Sequence, residues 1–156
     1  MRNELSLLIE ALEKKAVVLD KILKKSELQY GLAVTESFDA EAFDRLVDEK
    51  SELLEQMNLI DQGFDSIFQK IKDELLENQG LYTKEIAQMQ MLIRRTIDAG
   101  SHIFTTEQRT KDILSSAVAG NRKQLRQKKM TANSVADYYK ANGAQFTESY
   151  FYDTKK

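Results

Sequence analysis

Residues 43–71 read FDRLVDEKSELLEQMNLIDQGFDSIFQKI, and the side chains spaced three and four apart in this stretch are almost all apolar. That spacing places them on one face of a helix that supercoils with its neighbours. Lys50 is the polar member of the face, and we expect it to bury its stem while its amine reaches water. The repeat predicts a helix over residues 40–78. The face comprises Phe43, Leu46, Lys50, Leu53, Met57, Ile60, Phe64, Ile67 and Ile71.

A helix with the same repeat is predicted over residues 3–35. Its apolar stripe runs through Ile9, Leu12, Ala16, Leu19 and Leu23 and continues weakly through Ser26, Tyr30 and Ala33. Residues 35–39 interrupt the repeat with side chains that favour helix caps, and Ser37 or Asp39 is expected to accept hydrogen bonds from the first amides of the second helix. Gly80 is expected to end that helix in the left-handed conformation.

The third helix is predicted over residues 82–130, which makes it roughly 70 Å long, so that it overhangs its partners or breaks near Gly120. Its apolar stripe drifts, and Gly100 and Gly120 interrupt it, so we expect curvature or local loosening there. The stripe comprises Ile86, Met89, Ile93, Ile97, Phe104, Leu114, Val118 and Leu125. The chain has no proline, which favours long uninterrupted helices. We therefore predict an all-α fold, an antiparallel three-helix coiled-coil-like bundle over residues 1–130.

Residues 131–156 form a tail of different character. It holds six of the thirteen aromatic residues of the chain, whereas solvated tails are normally poor in aromatics. We expect a partly flexible aromatic tail, either a short helix or disordered, which folds back on the bundle or becomes ordered on a partner.

Charge is distributed unevenly along the chain. Residues 36–77 contain thirteen acids and four bases, whereas residues 109–129 contain seven bases and Asp112 as the one acid. Antiparallel packing of helices two and three would place these stretches side by side as complementary faces of one bundle. The alternative is that the basic stretch docks an acidic partner.

The residue types that carry chemistry are scarce. The chain has no cysteine, and its single histidine, His102, has no Glu or His four residues away, so we expect no metal site, no cofactor and no catalytic activity. The net charge of −2 and the lack of aromatics within residues 122–129 argue against nucleic-acid binding. We also expect no secretory signal, no membrane insertion and a cytoplasmic location.

The stretch Asp48-Glu-Lys-Ser-Glu-Leu-Leu-Glu-Gln-Met57 resembles the signature of the FlgN-type flagellar export chaperones, an acidic residue followed by Lys-x-x-Leu-Leu. The signature positions are Glu49, Lys50, Leu53 and Leu54. The order of elements is similar as well, with an Asn-Arg-rich stretch at residues 121–125 late in the third helix. Residues 139–143, Tyr-Lys-Ala-Asn-Gly, resemble a motif that some members carry after the last long helix, although here the tyrosine is doubled and Ala144 precedes Gln145.

The resemblance implies an ATP-independent chaperone of flagellar type III export that holds the C-terminal helical segment of hook-associated proteins and delivers them to the export gate. For docking at the gate it points to Tyr138, Tyr139, Asn142 and Gly143. The substrate helix would lie in an apolar groove of the third helix, formed by Leu114, Val118, Leu125 and Met130.

Other interpretations stay open at this point. Each groove residue can instead belong to the core of the bundle, and Tyr139 can pack on its surface. The whole chain can instead be a structural coiled-coil protein that self-assembles, or a chaperone or regulator of another secretion system. The sequence is compatible with a monomer or a homodimer.

Overall fold

The computed structural model describes residues 1–116, and this part of the chain forms three long helices. Helix α1 spans Arg2–Ala33, α2 spans Ala40–Glu77 and α3 spans Thr83–Ser116. A single 3₁₀ turn, Gln79–Leu81, lies between α2 and α3, and the described residues contain no strand. The predicted all-α three-helix fold is confirmed. The helix bounds predicted from the sequence agree to within one or two residues wherever they fall in the described part.

The ion pairs between helices establish their relative directions. Lys15 pairs with Asp61 at 2.8 Å and Lys25 with Glu49 at 2.9 Å, so residue numbers rise along α1 while they fall along α2. Along α1 and α3 they rise together, through the pairs Arg2–Glu85, Asp20–Arg95 and Ser26–Glu107. The bundle is therefore up-down-up. The backbone of α1 lies close to both other helices, whereas α2 and α3 approach each other less closely and meet through long side chains.

The apolar core consists of three clusters stacked along the bundle. The largest joins the start of α1, the end of α2 and the start of α3 through Leu5, Leu8, Leu12, Phe64, Phe68, Ile71, Leu75, Met89, Leu92 and Ile93. The middle cluster comprises Val18, Leu19, Ile22, Leu53, Met57, Ala99 and Ile103. The third cluster, at the opposite end, has four buried members, Ala33, Phe43, Val47 and Leu114. The core therefore contains fewer apolar side chains toward the end of α3.

Helix α2 begins with a side-chain cap, as the sequence predicts. The Asp39 carboxylate accepts a hydrogen bond from the amide of Ala42 at 3.1 Å, which satisfies one of the free donors at the helix start. Phe38, just before the cap, packs on Phe43 with ring centroids 5.5 Å apart. This arrangement is a hydrophobic staple, which fixes the direction in which the chain enters the helix.

Gly80 does not end α2, which corrects the prediction made for it. The helix ends at Glu77, and the following residue, Asn78, caps it with φ −120° and ψ 35°. The Asn78 side-chain amide and its backbone amide both donate to the carbonyl of Glu74, at 2.9 Å and 3.1 Å. Because this carbonyl is satisfied without a left-handed residue, the chain continues directly into the 3₁₀ turn that contains Gly80.

The sequence-based face of α3 is also corrected. Ile97 and Phe104 were assigned to it, yet 36% and 39% of their surfaces are exposed. The buried positions instead repeat every three or four residues without interruption, and helix α3 continues through Gly100. The repeat comprises Met89, Ile93, Thr96, Gly100, Ile103, Glu107, Thr110 and Leu114, and Leu92 and Ala99 are buried beside it. Four positions of this repeat are small or polar, which is why apolar residues alone placed Ile97 and Phe104 on the buried face.

The remainder of the predicted third helix, including Gly120, and the aromatic tail at 131–156 lie outside the described residues. Up to Ser116, α3 has 34 residues, which corresponds to about 50 Å at 1.5 Å per residue and is close to the length of its partners.

Candidate functional site

A cluster of polar side chains crosses the core between the middle and third apolar clusters. Ser26 of α1, Lys50 of α2 and Glu107 of α3 form it, and we call these three residues the polar cluster. The Ser26 hydroxyl donates to Glu107 Oε1 at 2.7 Å, and the Lys50 ammonium donates to the same oxygen. Lys50 Nζ also lies 3.5 Å from Ser26 Oγ. One carboxylate oxygen therefore connects all three helices.

Lys50 is buried, which corrects the expectation that its amine reaches water. Only 1% of its surface is exposed, and Glu107 is exposed by 2%. Burial lowers the pKa of the Lys50 ammonium below its ordinary value, and the charge and hydrogen bond of Glu107 oppose part of this shift. The amine stays inside because an anionic partner from α3 reaches it there, and removal of an ion from water without such a partner costs several kcal/mol.

Two further polar side chains are buried on the same side of the polar cluster, toward the third apolar cluster. Gln29 donates to the main-chain oxygen of Phe43 at 3.3 Å, but its side-chain oxygen is buried and has no hydrogen-bond partner within residues 1–116. The Thr110 hydroxyl donates to the carbonyl of Thr106 on its own helix at 3.0 Å, so it adds no bond between helices. This end of the core is consequently more polar than the other.

The four residues of the family signature have different environments. Glu49 is exposed and pairs with Lys25 of α1, whereas Lys50 is buried in the polar cluster. Leu53 belongs to the middle apolar cluster, and Leu54 is half-buried against it. Three of the four signature side chains thus contact the interior of the bundle, and the fourth contacts α1.

Of the four residues predicted to line the substrate groove, one falls in the described part. Leu114 is 3% exposed and packs with Ala33, Phe43 and Val47, so its contacts are to its own chain. Its role in substrate binding stays a prediction. The other groove residues, Val118, Leu125 and Met130, lie outside the described residues, and so do the predicted gate-docking residues, Tyr138, Tyr139, Asn142 and Gly143.

The predicted pairing of the acids of α2 with the basic stretch falls mostly outside the described residues, which contain two of its seven bases. Arg109 and Lys111 are the bases of the basic stretch that fall in the described part, and within that part neither forms an ion pair with α2. The buried pair between these helices has the opposite sense, because the base, Lys50, is on α2 and the acid, Glu107, is on α3. The acidic face of α2 is partly neutralised by α1 instead, through Lys25.

A shallow cleft of about 360 Å³ lies between α1 and α3. Its lining includes Tyr30 from α1 and His102 and Arg109 from α3. His102 is exposed, as expected for a surface histidine. In residues 1–116 no three His, Asp or Glu side chains come together as a metal site would require. No helix in the same range combines the length and the apolar character needed to cross a membrane.

Sequence reasoning missed Ser26 and Glu107 as a pair with Lys50. Glu107 was not assigned to the core because it is charged, although its position in the three-four repeat of α3 indicates burial. Counting back from Leu114 in steps of four and three reaches Thr110 and Glu107 and then Ile103, so the repeat itself assigns Glu107 to the core.

No protein-family model, no curated protein sequence and no solved structure matches the chain.

Proposed function

We propose that this chain is a cytoplasmic, ATP-independent chaperone of flagellar type III export, of the FlgN type. It binds the C-terminal helical segment of a hook-associated protein, prevents premature assembly and delivers the protein to the export gate. The observation that carries the proposal is the position of the signature motif, which lies on the middle helix of a three-helix bundle with Lys50 and Leu53 in its core. Without that position, the motif would be one acidic-Lys-x-x-Leu-Leu string among many in amphipathic helices.

The predicted groove provides the means of binding. An amphipathic substrate helix needs apolar residues at helical spacing on the surface that receives it. Val118 and Leu125, which are seven residues apart, have this spacing, and they follow directly on the end of α3 at which the apolar core is smallest. The seven bases of residues 109–129 would attract a substrate segment that carries acidic side chains.

Co-expression with hook-associated proteins from the same cell tests this proposal. We expect one of them to co-purify with this chain in a stable complex, and we expect the complex to be lost when the C-terminal helix of that partner is deleted. Failure of every hook-associated protein of the cell to co-purify would overturn the proposal. A self-assembling coiled-coil protein would instead form a large oligomer by light scattering without any partner.

Matched variants locate the binding surface. The double change Val118→Ser and Leu125→Ser is expected to weaken substrate binding by at least about tenfold, since buried apolar anchors carry most of the binding energy of such interfaces. Leu59→Ser is the control, because Leu59 is 67% exposed on α2 and lies far along the chain from the predicted groove. Equal affinity of both variants for the substrate would place the substrate elsewhere.

A further inference from the structure

The segment of α3 after Ile103 is held to the bundle by few apolar contacts. Between Phe104 and Ser116 the buried residues are Glu107, Thr110 and Leu114. Leu114 is the one apolar side chain among them. By contrast, Met89, Leu92 and Ile93 near the start of α3 all pack in the largest apolar cluster. Since hydrophobic stabilisation scales with the apolar area removed from water, the later segment gains much less from packing than the earlier one.

The polar cluster does not compensate for this deficit. Lys50 and Glu107 each lose their hydration in the folded chain, and their mutual attraction mainly offsets that loss. When the segment separates, both charges regain water, so separation is less costly than separation of an apolar layer of the same size. Gln29 adds to the effect, because its buried side-chain oxygen has no partner within residues 1–116 and would gain one from water.

We propose that residues 104–116 of α3 separate from α1 and α2 as a unit while the rest of the bundle stays folded, and that the buried pair of Lys50 and Glu107 lowers the cost of this separation. Separation breaks the bonds of Glu107 to Ser26 and Lys50 and uncovers Ala33, Phe43 and Val47. Regions with few buried apolar contacts open at a lower free energy than the whole domain, which is the behaviour expected of this segment. The opening is a property of the free chain and does not depend on the proposed function.

Native-state hydrogen exchange on the full-length protein tests the opening. We expect amides of residues 104–116 to exchange at least about tenfold faster than those of residues 86–100, with a weak dependence on denaturant, because local opening exposes little surface. Leu8→Ala, in the largest apolar cluster, should accelerate exchange in residues 86–100 and leave residues 104–116 unchanged, since Leu8 stays packed when only residues 104–116 separate.

The role of the ion pair is tested by the double variant Lys50→Met and Glu107→Leu, which replaces the pair by apolar side chains of similar size. We expect this variant to slow exchange in residues 104–116 by about tenfold or more, because the layer then resists separation. Three results would overturn the proposal. They are equal exchange and denaturant dependence in both segments of the wild type, equal acceleration of both by Leu8→Ala, and unchanged exchange of residues 104–116 in the double variant.

Discussion

Lys50 and Glu107 occupy core positions where apolar residues would ordinarily pack, and each depends on the other to stay there. Their ion pair joins α2 to α3, the two helices whose backbones approach each other least. A buried charge without its partner is costly, whereas the intact pair is close to neutral compared with well-packed apolar residues. The intact pair is therefore expected to add little to the stability of the fold, whereas loss of either partner is expected to be costly.

The two single variants and the double variant should differ sharply in stability. Glu107→Leu alone and Lys50→Met alone are each expected to lower the free energy of unfolding by about 3–5 kcal/mol, because each leaves an unpaired buried charge. The double variant is expected to be as stable as the wild type, or more stable by about 1–4 kcal/mol. Urea unfolding followed by circular dichroism measures all three. A loss of stability in the double variant equal to the sum of the two single losses would show that the two residues do not depend on each other.

The exposed pair Lys25–Glu49 provides the control for these variants. It has a similar ion-pair geometry, at 2.9 Å, but both side chains retain contact with water. Changing both residues to alanine should alter the free energy of unfolding by less than about 1 kcal/mol. A loss as large as that of Glu107→Leu would show that burial is not what makes the inner pair sensitive.

Alkaline pH should affect the wild type and the double variant differently. Burial lowers the pKa of Lys50 below 10.5, so the folded chain releases this proton at a lower pH than the unfolded chain does. Between the two pKa values the unfolded chain binds more protons, and the contribution of Lys50 to the free energy of unfolding rises with pH. In urea titrations from about pH 7 to about pH 10, the wild type should gain stability relative to the variant Lys50→Met with Glu107→Leu. A relative loss over this range would contradict the direction of the shift.

At the scale of single helices, the start of α2 shows how much local sequence can determine. Residues 35–39 interrupt the repeat, and the cap and staple that follow use short-range contacts of Phe38 and Asp39 with the first turn. Such contacts lie within five residues of each other, which is why the sequence alone located this helix start correctly. The prediction that Gly80 ends α2 was wrong because the Asn78 side chain, two residues earlier, donates to a free carbonyl at the helix end.

Removal of the α2 cap should have a moderate cost. Asp39→Ala is expected to lower the free energy of unfolding by about 0.5–2 kcal/mol, because the amide of Ala42 loses its acceptor. Ser37→Ala, two residues earlier and exposed, should change it by no more than about 0.5 kcal/mol. Thermal unfolding of both variants measures the difference. Equal effects would mean that the cap bond contributes nothing measurable.

Helix α3 marks the limit of prediction from apolar patterns. Its core positions include Thr96, Gly100, Glu107 and Thr110, whose side chains are small, polar or absent. The burial of Glu107 depends on Lys50, which lies 57 residues away in sequence. No property of α3 by itself indicates that partner, so the repeat can place Glu107 in the core but cannot show that Lys50 lies beside it.

Two adjacent residues test which face of α3 points inward. Ile103 is fully buried in the middle cluster, whereas Phe104 is 39% exposed. Ile103→Ala is expected to lower the free energy of unfolding by about 2–5 kcal/mol through loss of packing and formation of a cavity. Phe104→Ala should cost less than about 1 kcal/mol, as is usual for changes at the surface. If Phe104→Ala lowered the stability in urea unfolding more than Ile103→Ala does, Phe104 would lie on the inward face, as the apolar residues alone suggested.

For the molecule as a whole, the composition of the core changes from one end to the other. The end formed by the start of α1 and the end of α2 contains most of the large apolar side chains, including Phe64 and Phe68. The opposite end contains the polar cluster and the small third apolar cluster, and from there the chain continues into the basic stretch and the aromatic tail. Most of the apolar packing thus lies at the end of the bundle opposite to the one at which the described residues of α3 end.

A chain that ends at Met130 should separate binding from delivery. It keeps every described core residue and the predicted groove, and it lacks Tyr138 and Tyr139 with the motif around them. We expect its free energy of unfolding to fall within about 1 kcal/mol of the full-length value, since all the core residues that the structure describes are retained. The truncated chain should still co-purify with its hook-associated partner but fail to support export of that partner.

The full-length variant Tyr138→Ala with Tyr139→Ala should show the same combination, because it alters the docking motif and retains the rest of the tail. Loss of the complex in both proteins would show that the tail binds the substrate, and export at the normal level in both would exclude a role for these tyrosines at the gate.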